Sequence, residues 1–205
     1  MTGLVAGLLW ILWRGPAWLE WVLKPLAAAT FVMAATSGAP WSGGARFVLW
    51  VGLVLAAVGD VLLIPKSKRA FLGGLVAFLL GHVAYAAAFA VMGVAVGVTI
   101  GVFAVAAAAA VFVLRWLAPH VEGPMRGPVR AYIAVITAMV ALAAGAAAAS
   151  GDLRILVGAV MFYLSDLSVA RDRFVRRGFV NRLWGLPLYF FAQLVLAAVA
   201  RSAYE

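Results

Sequence analysis

Two aspartates, one lysine and one histidine stand inside otherwise apolar stretches of this 205-residue chain: Asp60, Asp166, Lys24 and His82. Tyr85, Tyr163, Tyr189 and Gln193 add polar groups within such stretches, and Tyr132 lies just inside one. Each ionisable group placed in a bilayer costs roughly 2.5–3.5 kcal/mol on insertion scales, so each needs a physical reason. A lysine can snorkel to the interface along its own methylenes, and Lys24–Pro25 suits a local kink. A lone histidine commonly bonds helix to helix, and a boundary tyrosine commonly belongs to an aromatic belt. An aspartate has one methylene and cannot snorkel far. A Lys24–Asp60 ion pair accounts for one of the two and leaves Asp166 over. Two carboxyl groups sharing one site titrate apart, which supplies a general acid and a general base together. The same embedded residue types also serve proton relays, so a small proton-coupled carrier is the competing reading.

The elements that must position these residues follow from composition. Hydrophobic residues make up 67% of the chain and charged residues 11%, with a mean hydropathy of +1.10. Soluble domains carry roughly 25% charged residues. The composition therefore predicts an integral membrane protein, and excludes a soluble enzyme, a disordered regulator, a coiled coil and a secreted disulfide scaffold. With no cysteine, disulfides, thiolate metal sites and cysteine nucleophiles are excluded together. A crossing helix needs about 20 mostly apolar residues. Seven stretches meet this, near 17–36, 46–64, 70–91, 94–117, 128–149, 153–170 and 183–201. Residues 2–13 form a shorter eighth apolar segment, followed instead of preceded by its positive charge at Arg14, which argues against a cleaved signal peptide. The expected fold is an all-α polytopic bundle of eight helices, or seven spans if the first segment does not cross, forming one domain over residues 1–205. Glycines seven apart, Gly52 with Gly59 and Gly74 with Gly81, read as helix-packing stripes.

Charge gives an orientation. Arg14; Lys66, Lys68 and Arg69; Arg115, Arg126 and Arg130; and Arg171, Arg173, Arg176, Arg177 and Arg182 fall on one side, twelve in all. Arg46, Arg154 and Arg201 fall on the other. The positive-inside rule places the twelve in the cytoplasm, with both termini outside if the first segment spans and the N-terminus inside if it does not. A bacterial inner membrane is the expected location. The net charge of +9 then reflects cytoplasmic loops meeting anionic headgroups, not nucleic acid.

A rise of 1.5 Å per residue converts sequence position into depth. Asp60 lies six residues before Lys66, about 9 Å inside the cytoplasmic boundary, and Asp166 five before Arg171, about 7–8 Å inside. Lys24 and Tyr189 come to roughly 9–10 Å, His82 and Gln193 to roughly 16–20 Å. Spacings of three or four residues put Tyr163 beside Asp166, His82 beside Tyr85 and Tyr189 beside Gln193. The expectation is a polar pocket open towards the cytoplasm. The other acidic residues, Glu20, Glu122, Asp152, Asp172 and Glu205, fall in loops or at ends.

These residues lie in an ordered series of short motifs: LKPLAAA at 23–29, GDVLL at 59–63, FLGGLVAFLLGHVAY at 71–85, AYIAVITAM at 131–139, GAVMFYLSDLSVARDRF at 158–174 and PLYFFAQLVLA at 187–197. The series resembles the YhhN family, which includes the animal TMEM86 proteins and whose known activity is lysoplasmalogenase. The abbreviated first segment departs from the family pattern without touching a motif. The resemblance implies hydrolysis of the vinyl ether of a lysoplasmalogen to a fatty aldehyde and glycerophosphoethanolamine or glycerophosphocholine. It implies Asp60 and Asp166 as the catalytic acids, a lysophospholipid as partner and no cofactor. Lys24 is expected to hold a carboxylate or the substrate phosphate, and His82, Tyr85, Tyr132, Tyr163, Tyr189 and Gln193 to line the site. The chemistry suits the residue types. Protonation at carbon gives an oxocarbenium ion that water captures, which calls for an acid and for a carboxylate, as in glycosidases. A zinc-dependent lipid hydrolase would need three ligands, commonly histidines, whereas this chain has two histidines, one of them, His120, in a loop. No metal is therefore expected. No GxSxG elbow is present for a serine hydrolase.

Overall fold

The computed structural model describes residues 2–36 and 44–202, which form eight α-helices with no strand among them. They are α1 (Thr2–Arg14), α2 (Glu20–Thr36), α3 (Gly44–Leu62), α4 (Lys68–Val91), α5 (Val96–Leu117), α6 (Gly123–Ser150), α7 (Leu153–Ala170) and α8 (Phe179–Arg201). Glu205, expected at an end, lies outside the described residues. The chain is a multi-pass α-helical membrane protein. Six of the helices, α3 to α8, are long and apolar enough to cross a bilayer.

The expected stretch 17–36 is helical, but its first residues are not part of the α-helix. Residues 17–19 form a 3₁₀ turn closed by the Leu19 N–H on the Pro16 carbonyl, so the α-helix starts only at Glu20. Its 17 described residues rise about 26 Å. At the other basic turns the helices instead run further than hydropathy alone suggests. α6 begins at Gly123 because Pro124 is tolerated in a first turn, whose N–H groups have no helical partner. α8 begins at Phe179, which takes Arg182 out of the expected loop and into a helix. Between α7 and α8, residues Arg171–Val175 form a π-helical turn.

Local chemistry explains several ends. The Ser67 hydroxyl accepts the Ala70 N–H and starts α4, and the Asp152 carboxylate accepts the Arg154 N–H and starts α7. α6 stops at Gly151, whose φ of +77° is open to glycine at little cost. Asp152 also receives the Arg154 guanidinium at 2.7 Å, which, with the backbone bond, holds its carboxyl below the usual range.

Packing brings the polar helices together. α8 meets α1, α2, α3 and α7; α4 meets α3 and α6; and α6 meets α7. α5 packs chiefly on α6 and leaves Ile100, Val105 and Phe112 exposed, as a lipid-facing helix requires. Trp13, Trp18, Trp21 and Trp184 are exposed near the basic ends of α1, α2 and α8, where a belt of interfacial indoles belongs. The glycine stripe of α3 acts as the sequence suggests. A Cβ added at Gly59 would stand 2.7 Å from the Phe78 ring, and one at Gly52 would strike the ring of Tyr85. The two glycines thus seat two aromatic rings that form the back of the site.

Candidate active site

Asp60, in the last turn of α3, is almost wholly enclosed. The Tyr189 hydroxyl of α8 donates to its Oδ2 at 2.7 Å, and the Lys24 ammonium of α2 lies 3.7 Å from its Oδ1. Lys24 is itself buried, so its charge does not reach the interface by snorkelling. The pairing joins three helices around one carboxylate.

Asp166 of α7 has different company. The Tyr132 hydroxyl of α6 donates to its Oδ2 at 2.7 Å, and His82 Nε2 of α4 lies 3.4 Å from the same oxygen. The other ring nitrogen of His82 is 2.6 Å from the Phe78 carbonyl. A carbonyl only accepts, so Nδ1 carries hydrogen and Nε2 of a neutral ring presents a lone pair. A lone pair facing a carboxylate oxygen is repulsive. One proton held between Nε2 and the Asp166 carboxyl removes the conflict, whichever atom bears it. Among the described residues no lysine or arginine forms an ion pair with Asp166. The two aspartates are therefore electrostatically unlike: one faces an ammonium, the other a buried imidazole.

Both line a single cavity of about 550 Å³. Lys24, Tyr132, Tyr163 and Tyr189 also line it, so six of the nine residues singled out in the sequence meet there. His82, Tyr85 and Gln193 are fully buried and do not line it, against the expectation that they would. They stand behind the carboxyl groups: His82 against Asp166, and Tyr85 donating to Gln193 Oε1 at 2.6 Å. The helical-spacing neighbours do not bond one another. Tyr189 reaches across to α3 and Gln193 across to α4, because groups one turn apart on a helix both project outwards to the next element.

Two residues went unnoticed in the sequence. Phe162 lies one turn before Asp166, with its ring centroid 4.4 Å from that of His82 and 5.4 Å from that of Tyr189. Phe78 lies one turn before His82 and meets Tyr189 edge-on at 5.7 Å. Their spacing from the embedded polar residues was the available signal. Together, edge to face at 6.1 Å, they form an aromatic wall against His82 and Tyr189, the partners of the two carboxyl groups. Among the described residues no group of three or more His, Cys, Asp or Glu side chains is arranged to hold a metal ion.

A helical membrane bundle that encloses two unlike carboxyl groups in one cavity defines a polytopic membrane protein with an intramembrane polar site. The chain belongs to the YhhN family, whose model matches residues 19–200. It is 30% identical to human lysoplasmalogenase TMEM86A, over 96% of this chain and 84% of the relative. It is 31% identical to mouse lysoplasmalogenase TMEM86B, over 92% of this chain and 78% of that one. A shorter match, 34% identical over 38% of this chain and 36% of the relative, is to the uncharacterized membrane protein YhhN of Escherichia coli. No solved structure matches the chain.

Proposed function

We propose that this protein is a lysoplasmalogenase, hydrolysing the vinyl ether of a lysoplasmalogen by acid–base catalysis with Asp166 and Asp60. The observation that carries the reading is the asymmetric pair of buried carboxyl groups on one cavity, Asp60 beside Lys24 and Asp166 beside His82 and Tyr132. The names of relatives that align over most of the chain point to the same chemistry.

The roles follow from the surroundings. Asp166, with the proton it shares with His82, protonates the alkenyl carbon one removed from the ether-bearing carbon. The electron pair of the double bond forms the new C–H bond, and the ether oxygen stabilises the cation as an oxocarbenium ion. Asp60, its charge balanced by Lys24, takes a proton from water as the water oxygen adds to that cation. The hemiacetal then collapses: its hydroxyl proton returns to Asp166, Asp60 gives its proton to the departing glycerol oxygen, and the C–O bond breaks. One water is consumed, one fatty aldehyde and one glycerophosphoethanolamine or glycerophosphocholine are released, and both carboxyl groups regain their starting states. In this reading the basic turns, and with them the cavity mouth, face the cytoplasm.

Detergent-purified protein incubated with defined lysoplasmalogens and with the matching saturated ether lipids tests the reading. Free aldehyde is expected from the vinyl ethers alone. No aldehyde from any vinyl ether would reject it.

A further inference from the structure

The outer end of the cavity is built from charged groups that the aspartate chemistry does not use. Lys66, beyond α3, and Arg173, Arg177 and Arg182, around the start of α8, line it. None of the four forms an ion pair among the described residues. Asp172 lines the same end but is committed elsewhere, its Oδ1 accepting the Gly178 N–H and the Asn181 amide, each at 2.9 Å. Asn181 also donates to the Arg176 carbonyl at 2.7 Å and accepts from Arg171 at 2.5 Å. This network ties the π-helical turn to the start of α8. Arg173 is held over the Phe71 ring, 4.2 Å from its centroid.

A further carboxylate at this end, that of Glu20, the first residue of α2, stands like Asp172 without an ion pair among the described residues. Lys24 stands one turn further along, but its ammonium is turned to Asp60. The ends of α1 and α8 close up on this side, where Trp13 stacks on Phe179 at 6.1 Å. An excess of cationic side chains with one free carboxylate complements a zwitterion: guanidinium forks suit phosphate oxygens, and a carboxylate suits an ammonium. Apolar lining from Val113, Leu117 and Ile133 leaves a separate path for a hydrocarbon chain along α5 and α6.

We propose that the outer end of the cavity is a headgroup subsite, in which Lys66, Arg173, Arg177 and Arg182 bind the phosphate of a lysophospholipid and Glu20 binds the amine of its headgroup. This rests on the proposed function only in taking the occupant to be a lysolipid. The subsite makes the protein selective for amine-bearing headgroups over neutral ones of similar size.

The test is binding, not turnover. Purified protein in micelles is titrated with saturated ether lysolipids, which the reaction cannot cleave, bearing ethanolamine or glycerol headgroups. Wild-type protein is expected to prefer the ethanolamine lipid roughly tenfold, the scale of a charged hydrogen bond. Glu20→Gln should erase the preference and leave glycerol-lipid affinity unchanged; a merely structural role would weaken both lipids alike and overturn the assignment. Arg177→Gln combined with Arg182→Gln should weaken both lipids about tenfold. Displacement of the lipid by millimolar inorganic phosphate would mark a simple anion site and overturn the headgroup assignment. Equal wild-type affinity for the two lipids, with vinyl ethers still cleaved, would overturn the subsite alone. Failure of every ether lysolipid to bind would reject the lysolipid reading and the subsite together.

Discussion

Removing Lys24 should cost more than removing Lys24 and the charge of Asp60 together. The ammonium lies 3.7 Å from Asp60 Oδ1, with about a tenth of the lysine side chain and 3% of the aspartate side chain exposed. At an effective dielectric of 20, opposite unit charges at that distance attract by about 4–5 kcal/mol. Lys24→Met deletes this attraction and leaves a carboxylate stranded in the bundle, a change that commonly costs about 3–5 kcal/mol. The Tyr189 hydroxyl bonds the carboxylate before and after the change, so it offsets none of this. A loss of about 3–5 kcal/mol follows. In the Lys24→Met, Asp60→Asn double variant no charge is stranded, and the loss should fall below about 2 kcal/mol, because a neutral amide keeps the Tyr189 bond. Reversible unfolding in mixed micelles, followed by tryptophan fluorescence, measures both. A double variant less stable than Lys24→Met, or a Lys24→Met protein as stable as wild type, would refute a buried ion pair. The same single variant should lose most of its aldehyde release, since Asp60 would no longer have its balancing charge.

Tyr132→Phe removes the donor 2.7 Å from Asp166 and should lower kcat about tenfold with little change in KM, measured by aldehyde release from a vinyl-ether lysolipid. The chain has no cysteine, so single cysteines at residues 68 and 176 report topology cleanly; both should resist an impermeant reagent applied outside intact cells, and rapid labelling would reverse the orientation. Asp152 titrates below its ordinary value because of Arg154, so its stabilisation is complete above the unfolded carboxyl's range and is lost as pH falls through the lower folded value. The difference in melting temperature between wild type and Asp152→Asn should therefore shrink below about pH 4.

The parts legible in the sequence were those set by simple periodicities and costs. Twenty-residue apolarity located the helices, and the cost of burying charge singled out Asp60, Asp166 and Lys24 before any contact was known. Depth arithmetic put Asp60, Asp166 and Tyr189 near one level, and all three line the same cavity. What stayed hidden depends on rotation about helix axes and on the choice of neighbours. Tyr189 could have bonded Gln193 on its own helix, but the packing of α3 on α8 offered Asp60 instead. His82 was expected to line the site, but its ring is fully buried between Phe162 and Asp166, a matter of side-chain direction. The late start of α2 arises from the turn after Pro16, which hydropathy averages do not register.

The most direct test of the catalytic assignment is aldehyde release from one defined lysoplasmalogen by wild-type, Asp60→Asn, Asp166→Asn and doubly substituted protein of matched fold. Asparagine keeps the shape of each side chain but cannot exchange a proton. Each single variant should lose on the order of 10²–10⁴-fold in kcat, the usual worth of a positioned acid or base. The double variant should be little worse than either, because groups that act as one unit are not additive. A folded double variant that releases aldehyde at the wild-type rate would contradict the account and leave the two carboxyl groups as a structural network.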